Sequence, residues 1–430
     1  MACEWREYRI GDIANIVGGS TPSTADPTNF DGDVPWLTPK NLSGPHDRYV
    51  SRGERNLSRK GLASCSAQLL PAGAVLLSSR APIGYLAIAK NPIATNQGFR
   101  SLVLKPGFDP EFVFYWLKAH VDELERHASG STFKELSGSA LGQIKIRIPD
   151  QTTQCVIAHT LGALDDKIEL NRRMNETLEA MAQAIFKAWF VDFEPVRAKM
   201  EGRWRRGESL PGLPAYLWGL FPDRLVDSEL GEIPEGWRVD TMGNNFRITM
   251  GQSPPGITYN QNGEGMPFYQ GRVDFEFRFP SHRVFCTAPT RFAEPGDTLV
   301  TVRAPVGATN IALERCCIGR GVAAIRHRSG SRSYTYYFVR SLQPIFDRFE
   351  AEGTVFGAIN KEGFSSIQCV VPPSELVERF EALCSPIDDQ IERNDLESRT
   401  LAALRDALLP KLISGKIRVE DAERFIGEKV

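Results

Sequence analysis

The stretch SSRAPIGYLAIA, Ser78–Ala89, returns 223 residues later as TVRAPVGATNIA, Thr301–Ala312. Both carry Arg-Ala-Pro-x-Gly and both close on Ile-Ala. At the same offset Gly73 meets Gly296, Gly98 meets Gly321, Gly130 meets Gly353, Phe133 meets Phe356 and Pro149 meets Pro372. Further on, LDDKIELN (164–171) aligns with IDDQIERN (387–394). Nearer the start the offset is 232, pairing Trp5 with Trp237, Gly19 with Gly251, and Pro35-Trp36 with Pro267-Phe268. The change of offset places an insertion in the first copy between Trp36 and Gly73, where the basic run RYVSRGERNLSRKG falls. A register held over this length means a tandem duplication, roughly 1–190 and 233–430.

The 430 residues give room for several domains, and 42% hydrophobic with 24% charged content is that of a soluble globular protein. A formal net charge of −2 supplies no global attraction to nucleic acid, though it leaves room for local basic loops. No apolar run approaches the roughly 18 residues of a spanning helix, and MACEWREYRIGDI lacks the apolar core of a signal peptide. A cytoplasmic protein without membrane contact is expected. Its eight cysteines form no C-x-x-C pair, which predicts free thiols and neither structural zinc nor a disulfide framework.

Each copy opens with about 150 residues of short apolar runs between Gly and Pro turns, such as AVLLSS (74–79), LAIA (86–89), SLVL (101–104) and IKIRIP (144–149). These predict short strands. DPEFVFYWLKAHVDELERH (109–127) predicts a helix capped by Asp109. The expected class is α+β. The expected segments are 1–150 and 233–373 as globular parts, 151–192 and 374–430 as helices, and 193–232 as a connector. Its Trp, Pro and Gly content predicts that the connector packs down.

A 4-3 spacing runs through Ile157, Leu161, Leu164, Ile168, Asn171, Asn175, Leu178, Ala182, Ile185 and Trp189. In the second copy it runs through Phe380, Cys384, Ile387, Ile391, Asn394, Ser398, Leu401, Arg405, Leu408 and Leu412. This is a coiled-coil seam with two polar positions at its middle, or a plain two-helix core. Two copies of one helix in one chain predict an antiparallel pair, with Asn171, Asn175, Asn394 and Ser398 near its midpoint. Pro386 lacks a backbone donor and predicts that the second helix starts or kinks there.

Catalytic signatures are missing. SGKIR (414–418) lacks the leading Gly and trailing hydroxyl of a phosphate loop. SPPG (253–256) puts Gly256 where an amino-methyltransferase needs a stacking ring, and PDRLVDSEL (222–230) has acids without the Lys of a metal nuclease. The six histidines are scattered singly. A non-catalytic binding protein is expected, with a fused or standalone methyltransferase/nuclease, or a coiled-coil adaptor that binds no DNA, as the alternatives. Two readers on a helical spacer suit a linear polymer marked twice, and DNA is the obvious one.

The order GGSTP, PW, RAPIG, NQG, GST, IRIP and LDDKIELN, repeated in the second copy and joined through SELGEIPEGW, resembles the specificity subunits of type I restriction–modification enzymes. The resemblance covers nearly the whole chain. It implies two target recognition domains, each reading half of a bipartite asymmetric site, separated by two long helices that form an antiparallel coiled-coil spacer. It also implies double-stranded DNA, two methyltransferase (modification) subunits and restriction/translocase subunits as partners. No cofactor is then expected in this chain, since S-adenosylmethionine, ATP and Mg would sit on those partners.

Base readers are expected among Arg, Lys, Asn and Gln on loops. In the first copy these are Lys40, Asn41, Asn96, Gln97 and Lys134, with Arg55, Arg59 and Lys60 on phosphates. In the second they are Gln252, Arg272, Arg278 and Arg320. The copies depart from each other at Gly319-Arg320-Gly321, which replaces Asn96-Gln97-Gly98, and at Gln252, which replaces Ser20. Arg80 and Arg303 stand in both copies, so they are expected to be phosphate anchors or internal struts of the shared turn.

Overall fold

Residues 4–427, except 45, 81, 131–133, 304 and 353–357, are described by a computed structural model of the chain. Cys3, Phe133, Gly353 and Phe356 lie outside the described residues. Contacts divide the chain into two units, 1–173 with 394–430, and 174–393.

In the first unit Arg6–Arg9 pairs antiparallel with Lys145–Ile148, closing the globular part end to end. Its five-stranded sheet runs Ala14–Gly18, Arg100–Leu104, Val75–Ser79, Ile83–Ala89, Tyr49–Val50. The helix Pro110–Ala119 is capped by Asp109, whose carboxylate accepts the Phe112 N–H at 2.8 Å. Phe112–Leu117 are all buried, because this helix shares one core with the sheet and with Ile157, Leu161 and Leu164 of the long helix.

The second unit repeats this order. Arg238–Thr241 pairs with Gln368–Val371, and the sheet runs Phe246–Met250, Val322–His327, Thr298–Thr301, Thr309–Ile311. The helix Arg332–Ser341 takes the place of Pro110–Ala119.

The repeated Arg-Ala-Pro-x-Gly is built the same way twice. Ser78 Oγ donates to the Pro82 carbonyl at 2.8 Å and accepts the Tyr85 N–H at 2.8 Å. Thr301 Oγ1 donates to the Pro305 carbonyl at 2.6 Å and accepts the Ala308 N–H at 3.0 Å. Gly84 and Gly307 have φ of 100° and 93°, and a Cβ there would come within 2.5 Å of Val121 and 2.6 Å of Phe346. Only glycine meets both demands.

The two long helices are Gln151–Phe190 and Ser374–Ile413. Asp150 caps the first, accepting the Thr153 N–H at 3.0 Å. Within the first unit Asp165 pairs with Arg405 at 2.5 Å, while Asn171 Nδ2 donates to the Asn394 carbonyl at 3.3 Å and to Glu397 at 2.8 Å. As one number rises the other falls, so the segments are antiparallel. Within the second unit Asn175 donates to the Ile391 carbonyl at 3.3 Å, and Phe186 packs its ring 5.6 Å from Phe380. All the seam positions are buried or half-buried. One expectation is corrected: the second helix begins at Ser374 and runs through Pro386. Pro386 and Ala382, whose carbonyl loses its donor, are both exposed, so water can satisfy it.

The connector packs into the second unit through Trp204, Leu213, Leu217, Phe221 and Ile233. Trp237 meets Phe193, just past the first long helix, edge to face at 5.6 Å. In the first unit its repeat counterpart Trp5 lies over Gly415, just past the second long helix, where a Cβ would come 2.8 Å from the indole.

Polar contacts orient each globular part on its stretch of helix. In the first unit Arg48 donates to Asp166 at 2.9 Å and to the Tyr115 hydroxyl at 2.8 Å, and that hydroxyl donates to Asp165 at 2.8 Å. Gly162 makes the room, since a Cβ there would lie 2.7 Å from Arg48 Nη1. In the second unit Arg278 is 1% exposed and donates to Glu179, Asp388 and the Tyr337 hydroxyl, with Arg340 also on Glu179. Two arginines balance two carboxylates. Burial opposes the charge on Arg278, but Tyr336, Asp388 and Glu179 outweigh it and raise its pKa well above the ordinary value. Arg278 is therefore corrected from a DNA reader to a buried strut.

Two stability series follow. Thr301→Val strands a buried N–H and a carbonyl and should destabilise the protein by about 1–3 kcal/mol. Thr298→Val, whose buried hydroxyl has no partner among the described residues, should be neutral or stabilising in the same urea titration. The reverse order would contradict the account of the turn. Arg278→Leu, which leaves buried carboxylates uncompensated, should cost about 3–5 kcal/mol by thermal denaturation. A loss below about 1 kcal/mol would mean that the cluster does not hold the second unit together.

Candidate nucleic-acid interface

In the first globular part the expected readers lie on three loops. Lys40 is exposed on the turn Pro39–Leu42 and pairs with Glu54 at 3.1 Å. Beside it, Asn41 Oδ1 accepts the Thr38 N–H at 2.8 Å and the Thr38 hydroxyl at 2.9 Å. Asn41 thus shapes the loop that presents Lys40.

The basic insertion faces aspartates on and before the strand Phe30–Val34. Arg55 forks onto Asp31 through Nε and Nη2 at 3.0 and 2.9 Å, with its guanidinium 4.0 Å from the Phe30 ring centroid. Arg59 pairs with Asp33 at 3.1 Å and Lys60 with Asp26 at 2.8 Å. Hydrogen bonds from Lys60 and then Thr28 hold the Asp26 carboxyl down to about 2, and Arg55 holds Asp31 below its usual range. Solvent-exposed pairs of this kind are weak and exchange readily with other anions, phosphates included.

The third loop joins two repeated turns. Asn96 Oδ1 accepts the Gly98 N–H at 2.9 Å, while exposed Gln97 accepts the Thr21 hydroxyl at 2.5 Å. Ser20 N–H donates to the Thr95 carbonyl at 2.9 Å, so GGSTP and NQG lie side by side. Lys134 is exposed, and Arg80 is half-buried beside Glu135.

The second globular part brings the same turns together with different side chains. Gln252 N–H donates to the Ile318 carbonyl at 3.0 Å, and the Gln252 carbonyl accepts from Thr290 at 3.0 Å. The Arg320 N–H donates to Ser253 Oγ at 3.2 Å. Gln252, Arg303 and Arg320 are all exposed. Arg272 is exposed as well, with Nη1 on the Phe275 carbonyl at 2.6 Å. Thr21, Ser253 and Thr290 at these junctions escaped the sequence reading. The turns shared by GGSTP and GQSPP were the signal for the first two.

Both junctions have the same chemistry: exposed amide and guanidinium groups on turns whose backbone is tied down. Such groups can bond base edges and phosphate oxygens, and a rigid frame fixes which ones they reach.

A family model described as type I restriction modification DNA specificity domain matches residues 3–180. The MjaIX type I restriction enzyme specificity subunit of Methanocaldococcus jannaschii is 32% identical to the chain, over 97% of this chain and 94% of the relative. The HindI specificity subunit of Haemophilus influenzae is 24% identical, over 96% and 100% of the two chains. Among solved structures, the type I restriction–modification system S subunit from M. genitalium aligns with a TM-score of 0.60 over 96% of both chains, at 16% identity, a likeness of fold. With such a relative matching along almost its whole length, the chain belongs to the type I restriction enzyme specificity subunits, whose role is the recognition of DNA.

Proposed function

We propose that the chain reads a bipartite, asymmetric site in double-stranded DNA, one half with each globular part. In this reading it carries two methyltransferase subunits and, with them, restriction/translocase subunits to that site. It is itself non-catalytic, and S-adenosylmethionine, ATP and Mg belong to those partners. No helix among the described residues is long and apolar enough to cross a membrane, and we assign the complex to the cytoplasm with its DNA. The length of the long helices sets the gap between the halves of the site.

One observation carries the reading. The two globular parts share strand order and turn chemistry, yet the side chains on their junctions differ, Thr21 with Gln97 in one and Ser253 with Arg320 in the other. A common frame with different readers suits two different half-sites. The basic insertion with Arg55, Arg59 and Lys60 adds phosphate contacts to the first half alone.

The test is a methylation map of a host genome expressing the chain with its partner subunits. The expected motif has two unlike halves around a gap of unspecified bases. A continuous motif, or a palindrome, overturns the proposal.

A further inference from the structure

The Arg-Ala-Pro-x-Gly turn sets an arginine at the same backbone position in both globular parts. Arg80 bridges Glu135, and Arg303 bridges Ala358. The next residues repeat one hydrogen bond, Leu136 N–H to the Ser79 carbonyl at 2.9 Å and Ile359 N–H to the Val302 carbonyl at 3.1 Å. The backbone is shared; the side chain across from the arginine is not.

In the first part Glu135 takes up the local positive charge. Its Oε2 lies 3.9 Å from Arg80 and its Oε1 lies 2.9 Å from Arg100. In the second part alanines stand at both counterpart positions, Ala358 for Glu135 and Ala323 for Arg100. Gln97 is replaced by Arg320. The result is a recess of about 440 Å³ lined by Arg303 and Arg320 and, among the described residues, by no Asp or Glu.

We infer that Arg303, with Arg320, anchors a DNA phosphate in the second globular part, whereas Arg80 is a strut neutralised by Glu135, so that the two half-sites are gripped unequally. The inference rests on the DNA reading proposed above. A guanidinium without a carboxylate beside it offers its full fork to a phosphate. Each phosphate so neutralised releases condensed counterions and steepens the salt dependence of binding by about 0.9 in log–log slope. The carboxylate of Glu135 both occupies the Arg80 side chain and repels an incoming phosphate.

The experiment measures Kd against KCl concentration for the complex of this chain with its methyltransferase subunits, on duplex DNA carrying the mapped site. Arg303→Ala should reduce the slope by about 0.9, and Arg303→Lys, which keeps the charge, should preserve it. Ala358→Glu should reproduce the reduction with Arg303 still present. If Arg303→Ala fails to fold, Ala358→Glu decides. Arg80→Ala should change the slope by less than half as much, and Glu135→Ala should increase it. Equal changes for Arg80→Ala and Arg303→Ala, or no change for Ala358→Glu, overturn the inference. Absence of site-specific binding by the unaltered complex instead overturns the functional reading itself, and is visible before any variant is compared.

Discussion

Each long helix offers two adjacent carboxylates, Asp165-Asp166 on one and Asp388-Asp389 on the other, and the placement of each globular part depends on them. Apolar contact between a sheet, its helix and the long helices is non-directional and would tolerate sliding. The ion pairs do not. Arg48 reaches Asp166 in the first unit; Arg278 reaches Asp388 and Arg332 reaches Asp389 in the second. In both units a tyrosine on the short helix, Tyr115 or Tyr337, completes the bond to the first aspartate. The reading turns are thereby fixed in angle to the helix beneath them, which a protein that measures position along DNA requires.

Register along the helix pair is fixed by a second polar device. Asn171 is fully buried, and its amide group faces the Asn394 carbonyl, Glu397 and Ser398, while its Oδ1 has no partner among the described residues. An apolar residue there would pack more tightly and allow slippage; the asparagine costs stability and specifies one alignment. Asn171 and Asn394 are repeat counterparts, so the seam meets itself at its midpoint, as an antiparallel pair of equal helices must.

Much of this was legible in the sequence because the constraints are local. Glycine at positive φ, a hydroxyl that folds its own turn and a seven-residue apolar spacing all leave marks within a few residues, and the duplication prints each mark twice. What stayed hidden depends on distant partners. Arg278 looked like a loop arginine because the carboxylates that bury it lie 99 and 110 residues away. Asn41 and Asn96 have the right chemistry for bases, yet their Oδ1 atoms serve their own turns, a choice that composition does not reveal. Pro386 was a fair signal of a helix end, overridden because the bond it removes faces water. The Asp-Asp pair was visible as a repeat, but its docking role required the arginines folded onto it.

The central claim is that two readers are held at a distance set by helix length. The chain passes between its two units after Arg173 and again after Arg393. Four helical residues inserted at both points leave the contacts inside each unit intact and add about 6 Å, under two base pairs at about 3.4 Å each. Methylation mapping of the reassembled complex is the direct measurement. The account predicts unchanged bases in both half-sites and a gap longer by one or two base pairs. An active variant with the gap unchanged would contradict it.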